Sequence, residues 1–128
     1  MKFYLIGIKG SGVSTLANLL FDLGCEVCGY DDSTGYKFTM KGLEMRGIKI
    51  YTESNYPVLD EDTIVTYTAA INEDHHEVKR VKELGYQIVP YHKVIGELTR
   101  VMESICVCGT HGKTTTSLMI ASLLKNSI

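Results

Sequence analysis

Phe3, Tyr4, Leu5 and Ile6 form an unbroken apolar run that stops at Gly7. A strand with one wet face alternates polar and apolar residues, so a run without alternation belongs to a strand covered on both faces. Helices packed on either side of a parallel sheet provide that cover. The residues that follow agree with this reading. Gly7-Ile8-Lys9-Gly10-Ser11-Gly12-Val13-Ser14 is a glycine-rich turn, and Val13, Leu16, Ala17 and Leu20 then recur at helical spacing.

The same strand-turn-helix unit returns along the chain. Gly24 ends the first helix, Cys25 to Tyr30 supply a second strand closing on Asp31 and Asp32, and a loop with a short helix leads to Gly47. Ile48 to Tyr51 make a third strand and Asp62 to Thr68 a fourth. Asn72 to Gly85 read as a helix with acids in its first turn, and Tyr86 to Pro90 as a fifth strand. Val94, Ile95, Leu98, Val101 and Met102 share one helical face; Ser104 to Cys108 read as a sixth strand, and a last helix starts near Lys113. The alternation predicts an α/β fold, a Rossmann-like, doubly wound parallel five-stranded sheet over 1–102, followed by a strand-loop-helix segment over 103–128. Ligands of such sheets sit beyond the carboxyl ends of the strands.

Charge and composition exclude several partners. Thirteen basic and fifteen acidic residues leave a net charge of -2 with no basic run, so no nucleic-acid surface is expected. No stretch approaches the roughly 20 apolar residues of a membrane span, and the start lacks a cleavage-like site, so the expectation is a cytoplasmic protein without a membrane partner. Cys25-x-x-Cys28 and Cys106-x-Cys108 invite a metal or redox reading, but along a strand Cys25 and Cys28 point to opposite faces, whereas zinc ligands converge and a redox pair belongs at a helix start, so the cysteines are read as buried apolar thiols.

The first glycine turn fits two phosphate-binding patterns imperfectly. Gly7 and Gly12 match G-x-x-x-x-G-K-[ST] with Ser14 in the hydroxyl position, but Val13 replaces the lysine. They also match the outer glycines of G-x-G-x-x-G, but Lys9 occupies the middle position and a glycine is displaced to Gly10. Both patterns share glycines that admit a close ligand and a helix start that presents free amides to an anion, so a diphosphate is predicted. Asp31, nineteen residues after Gly12, can accept hydrogen bonds from a ribose, which suits NAD and a uridine diphosphate equally.

The second turn, Gly109-Thr110-His111-Gly112-Lys113-Thr114-Thr115-Thr116, carries the lysine that the first lacks. Lys113 can meet the β and γ phosphates of ATP, Thr114 can ligate magnesium, and the amides from Gly109 to Lys113 can cradle the rest. Val107 stands where the general pattern has its first glycine.

This second turn resembles the ATP loop of the Mur ligases, and other stretches agree with it in order and spacing. They are Gly7 to Gly12, Asp22 to Asp31, Tyr36 to Ile50, Ala70 to Val78 and Tyr91 to Leu98, so the resemblance covers essentially the whole chain. It implies an ATP-dependent ligase joining L-alanine to UDP-N-acetylmuramate in peptidoglycan precursor synthesis, in which 1–102 bind the UDP moiety. Residues 103–128 would begin a central ATP-binding domain whose remainder is absent. By the same resemblance Lys9, Gly10, Ser11 and Gly12 would contact phosphates, Asp31 the uridine or ribose, and Thr68, Ala69 and Ala70 would contact substrate at a strand end, with Tyr36 and His92 as weaker contacts. Gly109, Thr110, His111, Gly112, Lys113, Thr114 and Thr115 would bind ATP, with Lys113 and Thr114 catalytic and Thr114 on Mg2+. The implied reaction phosphorylates the lactyl carboxylate, and the amine of alanine then attacks the acyl phosphate.

Members of that family run to several hundred residues, so the 128-residue chain is expected to be inactive alone, and its 104–128 segment to be loosely held or paired with a second molecule as a dimer. Two alternatives stand beside this reading: a ligase of the same family that recycles a muramyl tripeptide, and an NAD-binding regulatory module with Asp31 on the ribose. His75 and His76 read as a solvated helix start rather than a metal site.

Overall fold

The computed structural model describes residues 1–127. They fall into two compact units, one from Met1 to Leu98 and one from Thr99 onward.

The first unit is built on five strands: β1 (Lys2–Ile6), β2 (Glu26–Tyr30), β3 (Lys49–Tyr51), β4 (Thr63–Thr66) and β5 (Gln87–Ile88). All neighbours are parallel, in the order β3-β2-β1-β4-β5, with Lys2 level with both Glu26 and Thr63. The helices are α1 (Ser11–Asp22), α2 (Met40–Met45), α3 (His76–Glu83) and α4 (Tyr91–Val101), with α5 (Lys113–Ser127) in the second unit. The expected five-stranded parallel α/β sheet is therefore present, although β3 and β5 are shorter than their apolar runs suggest.

The unbroken apolar run of β1 has a direct explanation. Phe3 and Leu5 face one layer with Val13, Leu16 and Leu20 of α1, Leu43 of α2 and Val94 of α4. Tyr4 and Ile6 face the opposite layer with Tyr30, Val65 and, from α3, Val78 and Val81. Side chains alternate between faces, and both faces are dry.

One polar group crosses into the second layer. The Tyr4 hydroxyl donates to Glu77 Oε1 at 2.7 Å, and Glu77 is fully buried. Arg80 closes the group, donating from Nε at 2.8 Å and from Nη2 at 2.9 Å to the two carboxylate oxygens. Burial, then the bond to Glu77, raises the Tyr4 pKa, so the phenol keeps its proton and acts as the donor.

Gly7 turns the chain from β1 into the loop with φ +78°, and a Cβ added there would lie 2.6 Å from Ile71 Cδ1. A left-handed backbone costs an L-residue about 1–2 kcal/mol, before any displacement of Ile71. Gly7→Ala is therefore expected to destabilise the fold by at least about that much, read as a lower urea midpoint at unchanged slope.

The second unit differs from the sequence expectation. Residues 103–109 form no strand. A strand needs a neighbour to take its backbone hydrogen bonds, and no other strand exists in this unit among the described residues. Ser104, Ile105 and Val107 instead line an open cavity of about 480 Å³ with Ile120, Ala121 and Leu124 of α5. No residue of α5 is buried, and Leu118, Met119, Leu123 and Leu124 are exposed. Among the described residues no helix is long and apolar enough to cross a membrane.

Candidate functional site

The strand order creates a crevice. From β1 the chain moves to β2 and β3 on one side, then crosses to β4 on the other, so the carboxyl ends of β1 and β4 flank a topological switch point. The near contact between Gly7 and Ile71 shows the loops after these two strands lying against each other there.

At the end of β1 the amides of Gly7 and Ile8 both donate to the Tyr30 carbonyl, at 2.7 and 3.1 Å, and Gly10 N donates to Gly7 O at 2.9 Å. Gly10 is the N-cap of α1, extended at φ -65° and ψ 146°, and it supplies no side-chain cap. The first intrahelical bond runs from Ser14 N to Gly10 O at 2.8 Å. The amides of Ser11, Gly12 and Val13 thus precede the helical ladder, and no acid stands in the first turn. Such a helix start carries partial positive charge and donors aimed at an anion.

Lys9 and Asp31 meet, but as partners of each other and of the loop. Lys9 is only 5% exposed. Its Nζ donates to the carbonyls of Ser33 at 2.5 Å and Gly35 at 3.1 Å, its amide donates to Asp31 Oδ2 at 2.9 Å, and its carbonyl accepts from Thr39 Oγ1 at 2.7 Å. Asp31 Oδ1 accepts from Ser33 N at 2.9 Å and Ser33 Oγ at 2.7 Å. Where the sequence pointed to a phosphate and a ribose contact, both side chains are engaged in shaping the glycine turn.

Thr68, Ala69 and His92 share a cavity of about 310 Å³ with Tyr67, Glu73, Ile88, Pro90 and Tyr91, at the carboxyl ends of β4 and β5. Ala70 is exposed next to it, and Tyr36 is 65% exposed on the loop after β2. Tyr91 was not singled out from the sequence, yet its hydroxyl donates to Gly12 O at 3.1 Å and so ties the start of α4 to α1. An aromatic directly after Pro90 at a helix start was the available signal.

A second group was missed. Asp32, His75 and His76 come together, although both histidines read as a solvated helix start. His75 is the N-cap of α3: its Nδ1 accepts from Glu77 N at 3.1 Å, so the ring proton sits on Nε2, which lies 2.6 Å from Asp32 Oδ2. The Tyr30 hydroxyl is 2.9 Å from Asp32 Oδ1 and 2.7 Å from His76 Nε2. Burial works to raise the Asp32 pKa, but the bonds from His75 and Tyr30 outweigh it and hold the carboxyl below its usual range. The cysteines are free thiols, but the expected burial holds only in part: Cys25 and Cys28 are half-buried, whereas Cys106 and Cys108 are exposed, because residues 103–109 form no strand that could be covered. Burial pushes Cys28 up to about 11, opposed by Lys49, so it stays protonated at neutral pH.

In the second unit Gly112 has φ +73° and α5 starts at Lys113. Lys113 Nζ donates to the Gly109 carbonyl at 2.7 Å, folding the side chain back over its own loop. Gly109, Thr110, His111, Gly112, Thr114 and Thr115 are all exposed, so the loop is open to a ligand.

Comparison with known proteins separates this arrangement from other sheets of the same type. The family model described as "Mur ligase family, catalytic domain" matches residues 2–102. The chain is 44% identical over 122 residues to UDP-N-acetylmuramate--L-alanine ligase of Lacticaseibacillus casei, covering 95% of this chain and 28% of that protein. With the ligase of the same name from Porphyromonas gingivalis it is 36% identical, covering 98% and 28%. Its fold is similar to the crystal structure of UDP-N-acetylmuramate-alanine ligase from Thermotoga maritima, with TM-score 0.81 and 31% identity over 98% of this chain and 29% of that one. A murein peptide ligase from Psychrobacter arcticus gives TM-score 0.84 and 27% identity, covering 99% and 27%. The chain therefore spans under a third of the length of these relatives. With the parallel sheet, the glycine turn at its switch point, a family match over residues 2–102 and relatives that align along nearly the whole chain, the chain belongs to the Mur ligase family.

Proposed function

We propose that this chain is part of an ATP-dependent ligase that joins L-alanine to UDP-N-acetylmuramate in the cytoplasm, with 1–102 holding the UDP moiety and 103–128 starting the ATP-binding domain. The observation that carries the reading is the start of α1, where three successive amides without intrahelical acceptors stand at the switch-point crevice and the first helical turn holds no acid. Such a helix start suits an anion such as a diphosphate. The names of the relatives at 36–44% identity favour uridine diphosphate over NAD and alanine over a tripeptide.

In this reading the amides of Ser11, Gly12 and Val13 hold the diphosphate. Lys9 and Asp31 act by holding the turn in shape, and Asp31 also borders the ribose. Thr68, Ala69, Ala70 and His92 flank the rest of the substrate, with Tyr36 on the loop above. Lys113 and the amides of the second loop take the ATP phosphates, aided by Thr110, His111 and Thr115. The exposed hydroxyl of Thr114, at the first turn of α5, is a hard oxygen donor fit to hold magnesium, which would neutralise phosphate charge when bound. The chemistry asked of these residues is positioning and charge stabilisation while a carboxylate becomes an acyl phosphate and then an amide.

Ser11→Pro tests the first site. Proline is well tolerated at the first helical position, and Gly10 already has the extended backbone that precedes a proline, so the backbone path is kept while the Ser11 amide donor is removed together with its side-chain hydroxyl; Ser11→Ala, which removes the hydroxyl alone, is the control. Calorimetry should show UDP-N-acetylmuramate binding to the wild-type chain, weakened in the variant by about 1.5–3 kcal/mol, the worth of a hydrogen bond to a charged group. Circular dichroism should not change. Tight NAD binding without UDP binding would overturn the proposal.

A further inference from the structure

Asp32, His75 and His76 present one carboxylate oxygen and two imidazole nitrogens that all lie within 4.8 Å of one another. Two elements bring them together. Asp32 is the second residue past β2, while His75 caps α3 and His76 opens it, so the backbone is held on both sides. The two rings stack with centroids 4.3 Å apart and 26° between their planes. This near-parallel stacking turns both Nε2 atoms towards one carboxylate: His75 Nε2 is 2.6 Å from Oδ2 and His76 Nε2 is 3.5 Å from Oδ1. The side chains of Asp32 and His76 are 57% and 47% exposed, which leaves an open approach and room for water.

We propose that Asp32, His75 and His76 form a binding site for a divalent cation of the zinc or cobalt type, with water completing the coordination. Two imidazoles and one carboxylate are a donor set for such borderline ions, whereas magnesium and calcium prefer oxygen throughout. Tetrahedral bonds of about 2.0–2.2 Å put neighbouring donors roughly 3.3 Å apart, within reach of small side-chain rotations from the observed cluster. Two terms oppose the cation. With Nε2 on the metal, His75 must carry its ring proton on Nδ1 and can no longer accept from Glu77 N. The amino end of α3 also disfavours positive charge, which the Asp32 carboxylate offsets. The site is accordingly exchangeable rather than a permanent structural centre, and its occupation releases the α3 cap.

Titration of the 128-residue chain with Co2+, followed by displacement with Zn2+, tests the assignment. One Co2+ per chain should bind, with visible d–d bands and no thiolate charge-transfer absorption. His76→Gln, which leaves the cap residue in place, should weaken binding by at least about tenfold, and Asp32→Asn should do the same, both with wild-type circular dichroism. Saturation with Zn2+ should also speed hydrogen exchange of the Glu77 amide. Affinity in folded His76→Gln and Asp32→Asn within about twofold of wild type would overturn the proposal. So would thiolate absorption that disappears in Cys106→Ser/Cys108→Ser.

Discussion

Glu77→Ala is expected to destabilise the 1–98 unit by about 3–5 kcal/mol, the range for breaking a buried ion pair by removing one partner. The carboxylate is fully buried and answers two donors at once, the Tyr4 hydroxyl and the Arg80 guanidinium. Without it, the phenol is left in an apolar layer beside Val65, Val78 and Val81 with no acceptor. Arg80 retains some water, its side chain being 26% exposed, and it also lies over the Tyr56 ring at 4.6 Å, so the lower half of the range is the better expectation. Glu77→Gln keeps an acceptor for Tyr4 and should lose clearly less. Urea denaturation followed by circular dichroism measures both, and a loss under about 1 kcal/mol in the alanine variant would show that the buried group contributes little.

In an intact ligase carrying this loop, Lys113→Ala should lower turnover by about 10²–10³-fold, as removal of a charge-stabilising donor does. Stability should change by no more than about 0.5 kcal/mol, because the side chain is exposed. The ammonium rests on the Gly109 carbonyl at 2.7 Å, so it has only to leave one neutral acceptor to reach phosphate oxygens. Lys113→Arg should recover part of the rate at most, since a planar fork does not replace a compact point charge. The KM for the UDP substrate should stay near its wild-type value. Turnover in Lys113→Ala close to wild type, with phosphate release measured under saturating ATP, would remove this loop from the chemistry.

How far the site can be read in advance differs from residue to residue. Gly7, Gly10 and Gly12 announced the turn because a glycine cluster between an apolar run and a helical pattern has one economical backbone explanation. Lys9 was harder. A lysine beside a phosphate-binding turn suggests a phosphate partner, but the carbonyls of Ser33 and Gly35 that take its ammonium come from a loop more than twenty residues away. Asp31 was legible as the residue at the end of β2, whereas Ser33, which donates to it twice, has no residue-type signature. His75 and His76 beside acidic neighbours looked like a wet helix start; only the packing of α3 near the end of β2 sets them against Asp32.

The sixth strand shows the opposite failure. Ser104 to Cys108 have the composition of a strand, yet composition cannot provide the neighbouring backbone that a strand requires, and residues 103–109 stay without one.

The sequence by itself determined the α/β alternation, the five parallel strands of the first unit and the positions of both glycine turns, because periodicity, glycine placement and turn chemistry are local and act on residues close in the chain. The tertiary structure alone decided that Lys9 and Asp31 brace the first turn, that Tyr4, Glu77 and Arg80 form one buried polar group, and that Asp32 meets two histidines. Each of these depends on which strand ends become neighbours, and that follows from the β3-β2-β1-β4-β5 order, a property of the folded sheet that no short stretch of chain contains.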